Sequence, residues 1–315
     1  MTKKKSKILV VVPFQSSFIK SDIAILSDQS TIILNTYNWR NKYFTPVFMV
    51  LQLLSLLKNI RKVEVIVIEF GGYWALIPSV FGKLFNIPVV IILHGADCAS
   101  MPHLPYGSLR KKLLKLVCKI SYHYSSILLP VSESLIYTEN NYNDKNIYQG
   151  INYHFPSCTT KLKVLHNGLD TVFWSPISYT NKETNRFVAV FSESQFILKG
   201  GDLILKLAEQ YPKYNFYIAG TKKPHHIGEN ISNVHFLGRL TREELREEYR
   251  KSTFHLQLSM FEGFGLALCE AMLCECIPIG SSVNIIPDII GNTGFVLDKK
   301  DVNQLIEIVE KATFV

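Results

Sequence analysis

At 315 residues, 47% hydrophobic and only 19% charged, the chain is long enough for one large or two medium domains and too apolar to be disordered. Its net charge of +8 is one-sided: residues 1–150 hold 17 Lys and Arg against 8 Asp and Glu (+9), and the remainder hold 17 against 18 (−1). A basic front half points to an anionic partner, whether a membrane surface, a phosphorylated acceptor or nucleic acid, or else to a merely solvated basic surface.

The start, MTKKKSKILVVVPFQ, has the cationic and apolar regions of a signal peptide only superficially. Its apolar run is short and Pro13 leads into Gln15-Ser16-Ser17 without a small-residue cleavage site, so Lys7–Pro13 reads as a buried first strand. Thr31–Asn35, Val63–Phe70, Val89–Leu93 and Ile127–Val131 follow as strands rich in Val, Ile and Leu. Between them Val47–Asn59, Trp74–Phe85 and Leu109–Tyr122 carry helical periodicity. This alternation predicts a parallel sheet with helices on both faces. No segment reaches the roughly 18 uninterrupted apolar residues of a membrane span; Val47–Leu57 comes nearest and is broken by Gln52 and Ser55. On the segment Leu109–Tyr122, Lys111, Lys115 and Lys119 recur every four residues, widened by Arg110 and Lys112, with Leu113, Leu116, Val117 and Ile120 expected on the sheet-facing side. Such a basic face suits anionic lipid, and equally an ordinary solvated surface.

A second series begins near Arg186, with strands at Phe187–Phe191, Asn215–Ala219, Val234–Leu237 and Phe254–Leu258, and helices at Asp202–Gln210 and Arg242–Lys251. Thr241 and Glu244 form a candidate capping box for the latter helix. An apolar helix from Leu266 to Cys274, a short strand Ile277–Ile279 and a helix Val302–Lys311 close the series, and the turn-rich Val164–Pro176 suits a linker between the two halves. The first strand runs into Pro13-Phe14-Gln15 and not into a G-x-G-x-x-G turn, which argues against dinucleotide oxidoreduction. There is no P-loop lysine motif, no Asp-x-Asp pair of the metal-dependent sugar transferases and no nucleic-acid-binding signature.

The densest chemistry lies in FEGFGLALCEAMLCECIPIG, residues 261–280. Glu262 and Glu270 flank seven residues, with a Gly263-Phe264-Gly265 turn after the first and Leu266 opening a helix. Glycines at such a turn let backbone N–H groups approach a ligand, and a helix start adds a positive dipole end suited to phosphate. Glu270 is expected about two turns along from Glu262 and on the same side. A phosphate cradle between two accepting carboxylates suits a sugar nucleotide, although the same pattern also arises as plain structure. Lys199-Gly200-Gly201-Asp202 sets a lysine beside glycines at a helix start, either a phosphate contact or a surface lysine. His94-Gly95-Ala96-Asp97 falls at the carboxyl edge of the first sheet, where open α/β sheets bind ligands. A lone histidine there is otherwise structural. Ser132 reads as a helix N-cap. The six cysteines read as reduced small hydrophobes, because Cys274-x-Cys276 lacks the second pair of a zinc site.

Through Glu262, Gly263, Phe264, Gly265, Glu270, Ala271, Met272, Cys274 and Pro278 the segment resembles the signature of glycosyltransferase family 4, a GT-B-fold family marked by Glu, seven residues, Glu. Glu275 stands where that family usually has glycine. Asn167, Gly168, Asp170, Phe173 or Trp174, and Pro176 are similar to the motif that closes its first domain, and Lys199 to Asp202 to its K-G-x-D. The resemblance implies two facing Rossmann-like domains with a cleft, an acceptor domain over 1–170 and a nucleotide-sugar donor domain over 171–315. It also implies further helices after Val302–Lys311, so the early ending reads equally as a truncation at the C-terminus or as a mark of a degenerate member. The implied activity is a retaining, metal-independent transfer that uses a nucleotide-diphosphate sugar as donor and no cofactor. Its acceptor would be a glycan, lipid-linked or other small molecule, in bacterial-type surface glycan or glycolipid synthesis. Reduced cysteines suit the cytoplasm, and the lack of a spanning segment suits a chain that is soluble there or peripheral on the inner face of the membrane. By the same resemblance Glu270 binds the ribose, and Glu262 and His94 meet the transferred sugar. Lys199 and Gly200, with the backbone at Gly263, Phe264, Gly265 and Leu266, hold the leaving diphosphate. Acceptor loops such as Pro13–Ile19 follow no general code. The family usually carries Gly-Arg where this chain has Glu193-Ser194. That departure keeps open a GT-B protein that binds sugar nucleotide or a partner without turnover, and a GT-B sugar-nucleotide epimerase stands as a further alternative.

Overall fold

A computed structural model describes residues 5–143, 146–177, 182–224 and 231–313, with the side chains of Ser17 and Lys42 also outside the description. The first lysines of the cationic start, Lys3 and Lys4, lie outside the described residues. The chain falls into two compact units, residues 1–138 with 149–166, and residues 139–148 with 167–315. The single boundary near residue 170 expected from sequence thus misses a ten-residue excursion into the second unit.

In chain order the strands of the first half are β1 (Ser6–Val12), β2 (Ser30–Thr36), β3 (Val65–Glu69), β4 (Val89–Leu93), β5 (Ile127–Pro130), β6 (Thr138–Asn140), β7 (Ile147–Gln149) and β8 (Lys161–Leu162). The helices are α1 (Ser17–Gln29), α2 (Thr45–Asn59), α3 (Tyr73–Phe85), α4 (Lys112–Tyr124) and α5 (Ile151–His154). Six strands form one all-parallel sheet in the order β2-β1-β3-β4-β5-β8, while β6 and β7 pair separately. The chain steps outward from β1 to β2, then crosses back to β3 and on to β5. Right-handed crossovers therefore place α1 on one face and α2, α3 and α4 together on the other, where α3 packs against both neighbours.

Two expectations change here. The stretch Pro13–Ile19, expected as a loop, runs into α1, because Ile19, Ile23 and Leu26 at helical spacing close over Val10, Val12 and Val67 of the sheet. On α4 the buried side is Leu114, Val117, Cys118, Ser121 and Tyr122, so Leu113 and Leu116 point outward with the lysines instead of inward.

The second unit holds β9 (Glu183–Val190), β10 (Asn215–Ala219), β11 (Val234–Gly238), β12 (Ser252–Gln257), β13 (Ile277–Ser281) and β14 (Phe295–Leu297). Its helices are α6 (Gly201–Gln210), α7 (Arg242–Lys251), α8 (Leu266–Leu273), α9 (Ile286–Ile290) and α10 (Val302–Thr313). Its sheet is again all parallel, in the order β11-β10-β9-β12-β13-β14. Phe187 of β9 lies in register with Phe216 of β10 and Phe254 of β12, and its ring stacks on both, with centroids 5.1 and 4.7 Å away. That ladder fixes the strand register from one face. On the other face Val188, Trp174, Tyr249, Ala271, Cys274 and Cys276 form one buried cluster. The excursion 139–148 belongs to this unit through named bonds: Asn140 Nδ2 donates to the Met260 carbonyl at 3.0 Å, and Lys300 N donates to the Tyr142 carbonyl at 2.7 Å. Among the described residues all six cysteines are free, and no helix is long and apolar enough to cross a membrane.

Candidate functional site

In the second unit the strand order reverses between β9 and β12, which leaves the loops after these two central parallel strands side by side at the carboxyl edge. The loop after β9 carries Lys199 and the loop after β12 carries Glu262, and Met260 N binds the Leu198 carbonyl at 2.7 Å to tie the loops together. Lys199 Nζ lies 2.6 Å from Glu262 Oε2, with the two side chains 15% and 12% exposed. Gly200 sits at φ 75°, and a Cβ there would lie 2.5 Å from Leu258 Cβ, so only glycine lets α6 begin directly behind the lysine.

Glu262 is held from several sides. Its Oε2 also accepts from Gln257 Nε2 at 2.6 Å and from Ser259 Oγ at 3.1 Å, and its backbone N–H donates to Asn284 Oδ1 at 3.1 Å. Behind Gln257, His255 Nε2 lies 3.0 Å from Gln257 Oε1. Complete burial pushes the His255 imidazole down to about 4, so it is neutral near pH 7. His255, Gln257 and Ser259 alternate along β12 and its exit, and this polar alternation in a buried strand was a visible sequence signal that motif reading passed over. Glu262 itself precedes α8, which starts only at Leu266. The expected two-turn helical relation to Glu270 is therefore a loop-to-helix relation instead. Gly263 and Gly265 are buried, Phe264 and Leu266 partly so, and Gly265 takes the N-cap position of α8 at φ 93°.

Glu270 lies within α8. Burial pushes its carboxyl up to about 7, and the Arg242 guanidinium pulls the other way. Arg242, which the sequence reading passed over, is itself stacked on Phe173 at 4.3 Å. Burial, then Glu270 and Glu262, push the Cys269 thiol up to about 12, so both carboxylates act on the same stretch of helix. Ser194, where an arginine was expected by resemblance, is exposed, with Oγ 3.2 Å from Ser192 Oγ.

The first unit reverses its strand order between β1 and β3. At that carboxyl edge His94 Nε2 lies 2.8 Å from Glu69 Oε2, with the side chains 6% and 0% exposed. With the carboxylate as acceptor, Nε2 carries the proton, and Nδ1 is buried with no hydrogen-bond partner among the described residues. Asp97 orders the loop: its Oδ1 accepts from the backbone N–H of His94 and Gly95, and its Oδ2 from that of Gly71. Burial, with Glu69 nearby, pushes Asp22 of α1 up to about 6, against a pull from His94. Glu69 and Asp22 were missed from sequence, since neither belongs to a motif. Ser132 sits at the N-cap position of a single 3₁₀ turn and makes no side-chain cap bond, so the N-cap reading fails. Among the described residues no group of three or more His, Cys, Asp or Glu is placed to hold a metal ion.

Residues 177–313 match the family described as glycosyl transferases group 1. One of the subunits of the human phosphatidylinositol N-acetylglucosaminyltransferase is 26% identical over 165 residues, 49% of this chain and 34% of its own length. The Escherichia coli serotype-specific mannosyltransferase WbdA is 31% identical over 114 residues, 36% of this chain and 12% of its own length. The chain thus spans about a third or less of the length of these relatives. Among solved structures, Anabaena HepE in complex with UDP-glucose superposes with a TM-score of 0.69 at 14% identity, covering 97% of this chain and 89% of that one. The fold class is that of the GT-B proteins. Over residues 177–313, somewhat under half of the chain, the similarity is to the group 1 glycosyl transferases.

Proposed function

We propose that the protein is a retaining glycosyltransferase that takes a sugar from a nucleotide-diphosphate donor to an acceptor in glycan or glycolipid synthesis. The observation that carries this reading is the Lys199–Glu262 pair at the strand-order reversal of the second unit. Lys199 offers a cation to the leaving diphosphate, and the Gly265–Leu266 start of α8 offers the positive end of a helix to the same developing charge. Glu262, oriented by Gln257, Ser259 and Asn284, accepts from hydroxyls of the transferred sugar. Glu270 accepts from the ribose. In the first unit, taken by itself, His94, fixed by Glu69, keeps Nδ1 for a hydroxyl of a ligand. The solved relative holding UDP-glucose and the names of the glycolipid and mannosyl relatives support this assignment of substrate class.

Ser194 in place of arginine favours a second reading, binding without turnover. The test is release of nucleoside diphosphate from a panel of sugar nucleotides, with the anomeric configuration of the product read by NMR. Release with retention is the expected outcome. Tight nucleotide binding with no release under any donor and acceptor would leave only the second reading.

A further inference from the structure

The helix layer α2–α3–α4 of the first unit carries an apolar surface that the sugar-nucleotide site does not explain. α2 is 15 residues long and apolar nearly all round. It turns Gln52 inward, where Nε2 donates to Asn35 Oδ1 and to the Trp74 carbonyl, both at 3.0 Å. It turns Val47, Val50, Leu51, Leu54 and Leu57 outward, with Leu54 57% exposed. These positions follow i, i+3, i+4, i+7 and i+10, a continuous stripe along one side of a helix. Such a contiguous exposed patch marks an interaction surface and not ordinary scatter. In the same layer α3 exposes Leu84, and α4 exposes Leu113 and Leu116.

The charge around this surface selects its occupant. Residues 29–132, which span the whole layer, hold 11 Lys and Arg against three Asp and Glu, and two of those three, Glu69 and Asp97, are buried at the carboxyl edge of the sheet. Lys58, Arg61 and Lys62 follow directly on the apolar stripe, and none of them enters an ion pair among the described residues. An apolar strip bordered by unneutralised cations fits the boundary between anionic headgroups and acyl chains. A second copy of the chain fits poorly, because it would bring the same cations face to face. At 1.5 Å per residue α2 is about 22 Å long, short of the ~30 Å hydrocarbon core, so it lies in the interface and does not cross it.

We infer that α2 is the embedding element of a docking face for anionic lipid bilayers, with the basic residues of α4 and of the α2–β3 connection as its electrostatic border. The surface stands apart from the sugar-nucleotide reading, since vesicle binding is measured without any donor. The test is flotation of the full chain with phosphatidylcholine vesicles prepared with and without phosphatidylglycerol. Binding only to the anionic vesicles is expected, with part of it surviving high salt because apolar burial is not screened. Val50→Glu with Leu54→Glu should lower partitioning about tenfold or more, while circular dichroism and nucleotide affinity stay unchanged. Leu54→Trp should show blue-shifted emission that brominated acyl chains quench, a readout that needs no loss of folding. The inference is overturned if the protein ignores anionic vesicles at low ionic strength, or if the glutamate pair leaves flotation intact. It is equally overturned if the glutamate pair instead abolishes a self-associated species seen by sedimentation velocity without lipid.

Discussion

Glu270 holds its carboxyl at about 7, mainly by burial, so near neutral pH the unliganded protein is about half protonated there. Hydroxyl donors favour the carboxylate, so binding a nucleotide through its ribose should expel protons. Calorimetry near pH 7 in two buffers of different ionisation enthalpy should show this release, and Glu270→Gln should abolish it. Glu270→Ala should weaken nucleotide binding by about 1.5–3 kcal/mol; unchanged affinity in a folded variant would remove the ribose role. The raised value also has a stability consequence. A carboxyl raised by folding contributes stability fully present below its ordinary value of 4.5 and lost as pH climbs through about 7. Asp22, raised from 3.8 to about 6, acts in the same direction over a lower window. Denaturant midpoints should therefore fall from pH 4 to pH 7.5 through these two groups, and Glu270→Gln should flatten the upper part of that slope. For Lys199 the expectation is selective: Lys199→Ala should cost diphosphate affinity about 1.5–3 kcal/mol while sparing the nucleoside. Gln257 and Ser259 still orient Glu262 in that variant, so an equal loss for both ligands would indicate disturbed folding instead.

α8 ends on Cys276 N to the Ala271 carbonyl at 3.0 Å and Glu275 N to the Met272 carbonyl at 2.9 Å, with Glu275 at φ 63°. This is the left-handed position that closes helices and favours glycine, the residue the family signature has here. Glu275→Gly should thus stabilise the protein by about 0.5–1 kcal/mol in denaturant melts. The capping box of α7 makes the opposite case. Thr241 Oγ1 accepts from Glu244 N and Glu244 Oε2 accepts from Thr241 N, so Thr241→Ala should cost about 1 kcal/mol. Most elements were legible because their periodicity was unmixed, as in β4 or α7. On α4 Val117 is buried as expected, but Leu113 and Leu116 are not, because the buried stripe contains Ser121 and Tyr122. These are satisfied inside by the Val117 and Asp97 carbonyls, partners that no hydropathy pattern displays. α1 escaped notice because Lys20, Ser21 and Asp22 interrupt its apolar stripe.

At the level of the whole chain, the fold class followed from the alternation of strands and helices, whereas the meeting of Lys199 with Glu262 did not. Those residues are 63 positions apart and meet because β9 and β12 are neighbours; only the resemblance of their local motifs linked them in advance. The excursion 139–148 left no trace at all, since its partners Met260, Lys299 and Lys300 lie at the far end of the sequence. Asn140→Ala should remove the bond to the Met260 carbonyl and cost about 1–3 kcal/mol. The loss should appear in probes of the second unit and spare those of the first. This connection also has a clock. Asn141 accepts from Lys299 Nζ, a residue made 158 positions later. At a synthesis rate of about 5–20 residues per second, the nascent chain waits about 8–30 s between making this ten-residue loop and receiving the last side chain that holds it. During that interval the first sheet can finish while Tyr142, buried in the finished protein, remains open to water and to chaperones.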